Sequence, residues 1–485
     1  MDKKLQKNII FNVVYHILVI FVPFVTAPYL GRVLGADGVG NYTYVQLIAS
    51  YFTCFAMLGL SNYGNREIAK VRDDKYRKSK KFWEIYSMQL MTAGIALVVY
   101  CIYAFLYKSS FQILTICMVM WVFSNFFDIT WFYMGVEKFQ TIVLRNVIIK
   151  AFNVFFIFLL IKNSNDLIKY VLLMSISQFV SQILLWPTVR KELLYVKPEW
   201  GDIRQHFKPN MMLFLPAIAS SVYNIMDKLM IGAISSKSAL AYYEYSDKII
   251  QIPSLIFSAM GTVLLSRMSY LSENDNHEAE RLIGLSMDLS LVIASGASFG
   301  IAAVANELVP LYYGEEFMPC AKILIYLAPT IFLYAWANVL RMQYIIPRRE
   351  DKTYIYATIL GAVLNLLFNA MLIPRYDALG ATVGTCVAQF AVVCVFTIHC
   401  RKHLPMRNYV FRNIPCVLVA FLMYCVIVLM QQMHGISLLG LIVDVVVGGV
   451  SFAIMSLLYG CFSKNHFLSI IIARMSKQMT RGNNR

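Results

Sequence analysis

The segment NIIFNVVYHILVIFVPFVTAPYL (residues 8–30) contains no Asp, Glu, Lys or Arg. An α-helix needs about 20 mostly apolar residues to cross the hydrocarbon core of a bilayer, and this segment is long enough. No small-residue cleavage site follows a short apolar core, so we expect a retained first membrane span and not a signal peptide.

The composition of the whole chain agrees with a membrane environment. The 485 residues are 59% hydrophobic and only 14% charged, and the mean hydropathy is +0.61. This leaves too few polar side chains to cover a soluble globule, so we predict an all-α polytopic membrane protein. The ten cysteines lack metal-binding or redox spacing and are interpreted as packing residues. The net charge of +16 lies in short connecting segments, which argues against nucleic acid as a partner.

About fourteen stretches have the length and hydropathy of a span. Their approximate cores are 9–30, 39–61, 82–106, 111–134, 145–161, 167–188, 209–233, 239–265, 284–311, 320–346, 354–374, 378–399, 411–432 and 437–461. With the N-terminus inside, the inner segments hold 33 of the 43 Lys and Arg residues, and the outer segments hold 7. Because basic residues concentrate on the cytoplasmic side, both termini are predicted to be cytoplasmic.

A weak internal repeat appears when the first half of the chain is shifted by 201 residues over the second half. The matching pairs are Gly31 with Gly232, Tyr42 with Tyr243, Tyr44 with Tyr245, and Arg66 with Arg267. Six spans per unit give a parallel repeat, an arrangement found in secondary transporters with a central site near the midplane. We therefore predict two six-helix lobes in a parallel pseudo-two-fold repeat, residues 1–198 and 199–404, and two extra helices in residues 405–485.

Several kinds of chemistry have no visible carrier in the sequence. There is no GxxxxGK[ST] loop, so we expect any energy input to come from an ion gradient or the membrane potential. There is no GxSxG elbow, no carboxylate pair suited to acid and base catalysis, and no metal spacing among the seven histidines. The chain is predicted not to be an enzyme.

Ionisable residues inside spans are costly and usually face a bundle interior or an aqueous cavity. Span seven carries Asp227, span eight carries Asp247 and Lys248, and span five carries Lys150. Buried cations suit an anionic substrate, such as a membrane lipid that bears phosphate. A snorkelling side chain or a local ion pair is an equal alternative for four residues: Lys150, Asp128, Asp288 and Asp444.

Two amides in span eleven share one helical face, because Asn365 and Asn369 are four residues apart. Their oxygens are of the kind that can coordinate Na⁺. Hydrogen bonds between neighbouring helices explain them equally well, so both interpretations stay open.

Four stretches together resemble one transporter family. They are PYLGRVLGADGVGNY (28–42), GLSNYGNREIA (59–69), YNIMDKLMIG (223–232) and LGAVLNLLFNAMLIPRYDALGATVGT (360–385). Their order and spacing resemble the Wzx-type oligosaccharide and polysaccharide repeat-unit flippases of the multidrug/oligosaccharidyl-lipid/polysaccharide (MOP) exporter superfamily. The resemblance implies a MATE-like protein of the bacterial inner membrane that flips undecaprenyl-diphosphate-linked sugar repeat units to the outer leaflet, for O-antigen, capsule or a related glycan.

The resemblance also implies site residues and partners. Relatives that flip the peptidoglycan lipid precursor use cavity arginines and lysines for the diphosphate, which nominates Arg32 and Lys248. The full predicted substrate-binding set is Arg32, Arg66, Lys150, Asp247 and Lys248. Some relatives bind Na⁺ among helices seven, eleven and twelve, and the matching positions are Asp227, Asn365, Asn369 and Thr385. Asn369 stands where such relatives have a second carboxylate, which leaves proton coupling open.

No cofactor other than such an ion is expected. The implied partners are the lipid-linked oligosaccharide, membrane lipids, and the polysaccharide polymerase and chain-length machinery, with the protein itself a monomer. One alternative is a drug/ion antiporter of the same superfamily, which should carry a carboxylate in span one, where residues 8–30 have none. A second is a membrane-embedded glycan polymerase, which should have a large outer loop with catalytic Arg or His. A third is a scaffolding protein, which needs fewer buried charges.

Overall fold

The computed structural model describes the backbone of residues 3–106, 108–190 and 192–462, and the side chains of residues 22–106, 108–190, 192–214, 218 and 225–459. Within these ranges every regular element is a helix, which confirms the predicted all-α class. The contacts divide the chain into two units, Met1–Gly232 and Ala233–Arg485.

The first unit contains eleven α-helices. They are α1 (Lys3–Met57), α2 (Leu60–Ala69), α3 (Lys75–Leu106), α4 (Gln112–Cys117), α5 (Val119–Phe123), α6 (Thr130–Gly135), α7 (Phe139–Leu160), α8 (Leu167–Ile183), α9 (Trp186–Val189), α10 (Trp200–Arg204) and α11 (Phe207–Ile234). The core of this unit is aromatic, with the ring of Phe82 stacked on Tyr86 and Trp131. These rings fasten α3 to α6.

The second unit contains seven further α-helices. They are α12 (Lys237–Asn274), α13 (Asn276–Tyr312), α14 (Pro319–Leu327), α15 (Pro329–Leu340), α16 (Asp351–Cys400), α17 (Met406–Gln431) and α18 (Leu438–Phe462). One π-helical turn, Arg341–Ile345, continues α15. Helix α13 packs against α15, α17 and α18 and is the centre of this unit.

Two long helices contain a backbone break. In α1 the break is at Gly35, whose φ of 69° is in the left-handed region that glycine adopts without strain. In α16 the break is at Asp377, with φ 50°, three residues after Pro374. Asp377 is not a glycine, and its carboxylate accepts a hydrogen bond of 2.6 Å from the Ser235 hydroxyl, which supports the strained turn.

Both breaks fall where the sequence predicts a turn between spans. Eleven helical segments among the described residues are long and apolar enough to cross a membrane. The segment Asp351–Cys400 includes a break and two predicted spans. The segment Val22–Ala69 includes a break, the end of the first predicted span and the whole second one, and α11 corresponds to predicted span seven. The total of fourteen spans and the two parallel six-helix lobes stay predictions.

The division between the units lies at a different place from the predicted lobe boundary. Contacts group α11 with the first unit, whereas the prediction places span seven in a second lobe that starts at residue 199. A division by contacts reports which helices pack together, whereas a repeat reports which segments have similar sequence, so the two boundaries need not coincide. The boundaries at 198 and 404 therefore stay predictions.

Candidate functional site

The two halves of α16 meet beside the asparagine pair. Asn369 is fully buried, Asn365 is almost so, and Nδ2 of Asn369 donates a hydrogen bond of 3.2 Å to Oδ1 of Asn365. A Cβ atom placed on Gly384, on the other side of the break, would lie only 2.2 Å from Oδ1 of Asn369. The absence of a side chain at position 384 is therefore what lets the second half of α16 approach these amides.

Thr385 is the next residue after this close approach. Its hydroxyl donates to the carbonyl oxygen of Ala381 at 3.0 Å and lies 2.9 Å from the hydroxyl of Tyr243 on α12. The structure thus brings three of the four predicted ion ligands, Asn365, Asn369 and Thr385, to one part of the second unit. Amide and hydroxyl oxygens there are the type of donor that hard cations accept.

Asp227, the fourth predicted ion ligand, is on α11 in the first unit. Its side chain is buried, with 8% of its surface exposed, and the neighbouring Lys228 is half-buried. A shared site of Asp227 with the asparagines stays a prediction. In the part of the chain that the structure describes, no group of three or more His, Cys, Asp and Glu side chains is arranged to hold a metal ion.

Lys248 lies in a charged and aromatic setting near the start of α12. Its Nζ is 3.2 Å from the carboxylate of Glu244, one helical turn earlier, and 5.1 Å from the centre of the Tyr245 ring. Tyr245 is itself fixed by stacking on Phe317 at 5.0 Å between ring centres. The Lys248 side chain keeps 38% of its surface exposed, so the ammonium group is both held and accessible.

Asp247, predicted to contact substrate, is half-buried beside Lys248. Its carboxylate accepts a hydrogen bond of 2.7 Å from Nε2 of Gln251. The residue before α12, Ser236, accepts a hydrogen bond on its hydroxyl from the Ala239 amide and so caps the first turn of this helix. The role of Glu244 was not predicted, although its i, i+4 spacing to Lys248 was a usable signal.

The other predicted substrate residues lie in the first unit. Arg32 is exposed on α1, three residues before the break at Gly35, and Lys150 is half-buried on α7. Arg66 is exposed at the end of α2, where its Nε is 3.4 Å from the Glu67 carboxylate. Their part in substrate binding stays a prediction.

Basic side chains of two separate segments pair with one carboxylate that follows α9. Nζ of Lys138, between α6 and α7, donates to the Glu192 carboxylate at 2.5 Å, and Lys78, at the start of α3, is 3.9 Å from the same group. The hydrogen bond from Lys138 and the nearby charge hold the pKa of Glu192 below its ordinary value. Lys138 and Glu192 are both partly exposed, which fits a solvated connection between helices.

Three charged residues, Asp128, Asp288 and Asp444, have a local hydrogen-bond or ion-pair partner. Asp128 Oδ1 accepts a hydrogen bond of 2.9 Å from the Thr130 amide, at the start of α6. Asp288 on α13 is fully buried and pairs with Arg412 of α17 at 2.8 Å. Asp444 is also fully buried and lies 3.1 Å from Nε2 of His434.

Sequence reasoning missed a buried polar cluster in the first unit. The carboxylate of Glu84 on α3 lies 3.0 Å from Nε2 of His206 and accepts a hydrogen bond of 2.8 Å from Lys81. On the other side of the imidazole, Nδ1 of His206 is 2.5 Å from the hydroxyl of Tyr63. This cluster ties α2 and α3 to the start of α11. Its members are up to 143 residues apart, and no local pattern joins them.

Relatives of this chain are transporters and flippases. It is 22% identical over 395 residues to a protein of Shigella dysenteriae named as an O-antigen transporter, which covers 80% of this chain and 98% of that protein. It is 25% identical over 278 residues to a protein of Haloferax volcanii named as a flippase of low-salt glycan biosynthesis, covering 57% of this chain and 58% of that protein.

Solved structures with the same fold come from two kinds of membrane protein. A structure of the lipid II flippase MurJ matches with a TM-score of 0.72 and 15% identity, over 92% of this chain and 98% of that chain. A multidrug MATE transporter of the MOP superfamily matches with a TM-score of 0.56 and 14% identity, over 80% of this chain and 98% of that chain. These likenesses show the fold, and the protein is a multi-pass membrane protein.

The family follows from a match to a family model described as polysaccharide biosynthesis protein. This match runs over residues 5–272, more than half of the 485 residues. It includes both the predicted diphosphate residues Arg32 and Lys248 and the buried Asp227. The chain belongs to the polysaccharide biosynthesis protein family.

Proposed function

We propose that this protein is a flippase for lipid-linked oligosaccharides. The observation that carries the proposal is a match along 98% of the length of a relative named as an O-antigen transporter, in a chain with the fold of a lipid II flippase. The substrate is a sugar repeat unit on undecaprenyl diphosphate, which moves from the inner to the outer leaflet of a bacterial cytoplasmic membrane. The product supplies O-antigen, capsule or a related glycan.

The diphosphate is bound by cations that the protein holds in place. Lys248 supports this role because its ammonium group is accessible yet positioned by Glu244 and Tyr245. A diphosphate that approaches would compete with the Glu244 carboxylate for the same ammonium group. Arg32 supplies a second, forked donor that is suited to phosphate oxygens. Arg66, Lys150 and Asp247 complete the proposed binding set.

An ion gradient drives the cycle in this proposal. Asn365, Asn369 and Thr385 line the junction of the two halves of α16 with neutral oxygens, and Asp227 would supply the negative charge. Binding of Na⁺ or a proton by this set biases alternating access between the two lobes. The protein acts as a monomer that passes its product to polymerase and chain-length machinery, and both of its termini are cytoplasmic.

Purified protein in proteoliposomes tests the function directly. Lipid-linked oligosaccharide should become accessible to an impermeant reagent on the opposite leaflet, and Lys248→Ala should lower the rate at least about 10-fold if one charge-assisted contact is lost. Arg32→Lys should restore part of the activity that Arg32→Ala loses. A wild-type protein that flips no such lipid under either a Na⁺ or a pH gradient contradicts the proposal.

Surface glycan display in cells separates loss of transport from loss of protein. Lys248→Ala should abolish display while the protein stays in the membrane at normal amounts. Lys322→Ala, at an exposed position in a predicted outer segment, is the matched control and should leave display unchanged. Normal display in both Lys248→Ala and Arg32→Ala would show that these cations do not bind the diphosphate.

A further inference from the structure

A second cluster of titratable groups lies at one end of the second unit, where α13, α17 and α18 meet. Glu307 is near the C-terminal end of α13, Asp444 is in the second turn of α18, and His434 lies in the connection between α17 and α18. The side chain of Asp444 is fully buried, and that of Glu307 is about 5% exposed. None of the three belongs to the proposed substrate or ion sites.

Distances within this cluster place His434 beside both carboxyls. Nε2 of His434 is 3.1 Å from Oδ1 of Asp444, and its Nδ1 is 4.0 Å from Oε1 of Glu307. The two nitrogens of one imidazole therefore face the two carboxyls. The second oxygen of each carboxyl is buried and has no hydrogen-bond donor among the described residues.

An apolar cluster lies at the same junction of α13, α17 and α18. Its buried side chains are Ala303, Val304, Met423, Ile427 and Leu441. At the same junction α17 contributes Gln431, whose amide donates to the carbonyl of Ala303 on α13. Among the described residues, His434 forms ion-pair contacts with Asp444 and Glu307.

Ionising both of these buried carboxyls costs free energy, because two negative charges would lie beside one imidazole and away from water. Two ionised carboxyls with a neutral imidazole carry a charge of −2, and two bound protons make the cluster neutral. One proton makes the imidazole cationic, and the other supplies the hydrogen that the facing carboxyl oxygens lack. Two neighbouring carboxyls that cannot both be ionised can share one proton.

We propose that Glu307, His434 and Asp444 form a proton-binding site in which the two carboxyls hold one proton between them beside the imidazole. The proton reaches it through His434, which keeps 28% of its side-chain surface exposed and so links the buried carboxyls to water. The hydrogen bond from His434 to Asp444 raises the pKa of this histidine above its ordinary value, which also favours a bound proton here. The predicted topology places this end of the unit at the outer face.

Infrared difference spectroscopy of the full chain in lipid nanodiscs tests the site without any substrate. The C=O stretch of a protonated carboxylic acid is separate from the carboxylate stretch. Wild-type protein should show such a signal that persists above the pH at which exposed glutamates have ionised. The double variant Glu307→Gln/Asp444→Asn should lose it, and Glu315→Gln, an exposed glutamate near the end of α13, should not. A signal that persists in the double variant, or that is absent in wild type, overturns the proposal.

A substitution at the exposed member keeps the test informative if the double variant does not fold. His434→Gln removes the cation that favours ionisation of the carboxyls. The midpoint of the carboxyl signal should therefore move to higher pH than in wild type. A midpoint that stays in place or moves lower overturns the site. Because neither measurement involves transport, failure here leaves the flippase proposal standing, and failure of transport leaves this site standing.

Discussion

At the level of single residues, Gly384 is the position least able to accept a side chain in the asparagine region. A methyl group there would meet Oδ1 of the fully buried Asn369 at 2.2 Å. Overpacking of this kind costs about 1–3 kcal/mol, so Gly384→Ala should lower the thermal unfolding midpoint of the purified protein. Gly449→Ala is the control, since nothing lies within 4 Å of a Cβ there. Equal midpoints for the two variants would show that α16 can open at this point without cost.

Glu244 provides a second test at the level of single residues, because its carboxylate pairs with the ammonium group that is proposed to bind the substrate diphosphate. If the substrate diphosphate competes with this carboxylate, Glu244→Gln should tighten substrate binding, with a lower KM in the proteoliposome assay. The gain should be about 10-fold or less, since the pair is partly exposed and such pairs contribute about 1 kcal/mol or less. A raised KM in Glu244→Gln would mean that the carboxylate orients Lys248 for the substrate.

At the level of helices, a buried ion pair fastens α17 to α13. Asp288 accepts from Arg412 at 2.8 and 2.9 Å and from Asn413 at 3.1 Å. Arg412→Met should destabilise the protein by about 3–5 kcal/mol, because it leaves a buried carboxylate unpaired. Replacing both partners, Asp288→Leu with Arg412→Met, should recover much of that loss.

The matched control for this helix pair is an exposed pair at the start of α13. Arg281 lies 3.2 Å from Glu278, and more than half of its side chain is exposed. Arg281→Met should change stability by about 1 kcal/mol or less. Denaturation in detergent that gives equal losses for Arg412→Met and Arg281→Met would show that the buried pair does not hold α17 in place.

The helices could be predicted from the sequence, but the side-chain pairs that join one helix to another could not. Apolar runs and the turns at Gly35 and Asp377 are local properties of the sequence, so spans and breaks could be read from it. The pairing of Asp288 with Arg412 joins residues 124 positions apart and depends on how α17 packs on α13. The same holds for Glu84 with His206, whereas Glu244 with Lys248 follows from helical spacing alone.

At the level of the whole molecule, the two broken helices decide the topology. If α1 or α16 crossed the membrane once, every later connection would exchange sides, and the 33-to-7 distribution of basic residues would be lost. Cysteines introduced into a cysteine-free background can locate the breaks. Asp37→Cys and Tyr376→Cys are exposed positions close to Gly35 and to Asp377. Both should react with a membrane-impermeant maleimide added outside intact cells.

The inner side needs its own marker, and Asp73→Cys provides it. Asp73 lies between α2 and α3 in the basic connection, with 96% of its side chain exposed. It should react only after the membrane is permeabilised, since positively charged connections stay in the cytoplasm. Labelling of Asp73→Cys from outside, or protection of Asp37→Cys, would mean that α1 crosses the membrane once. The even count of spans and the cytoplasmic termini would then both be wrong, and with them the outer position of His434.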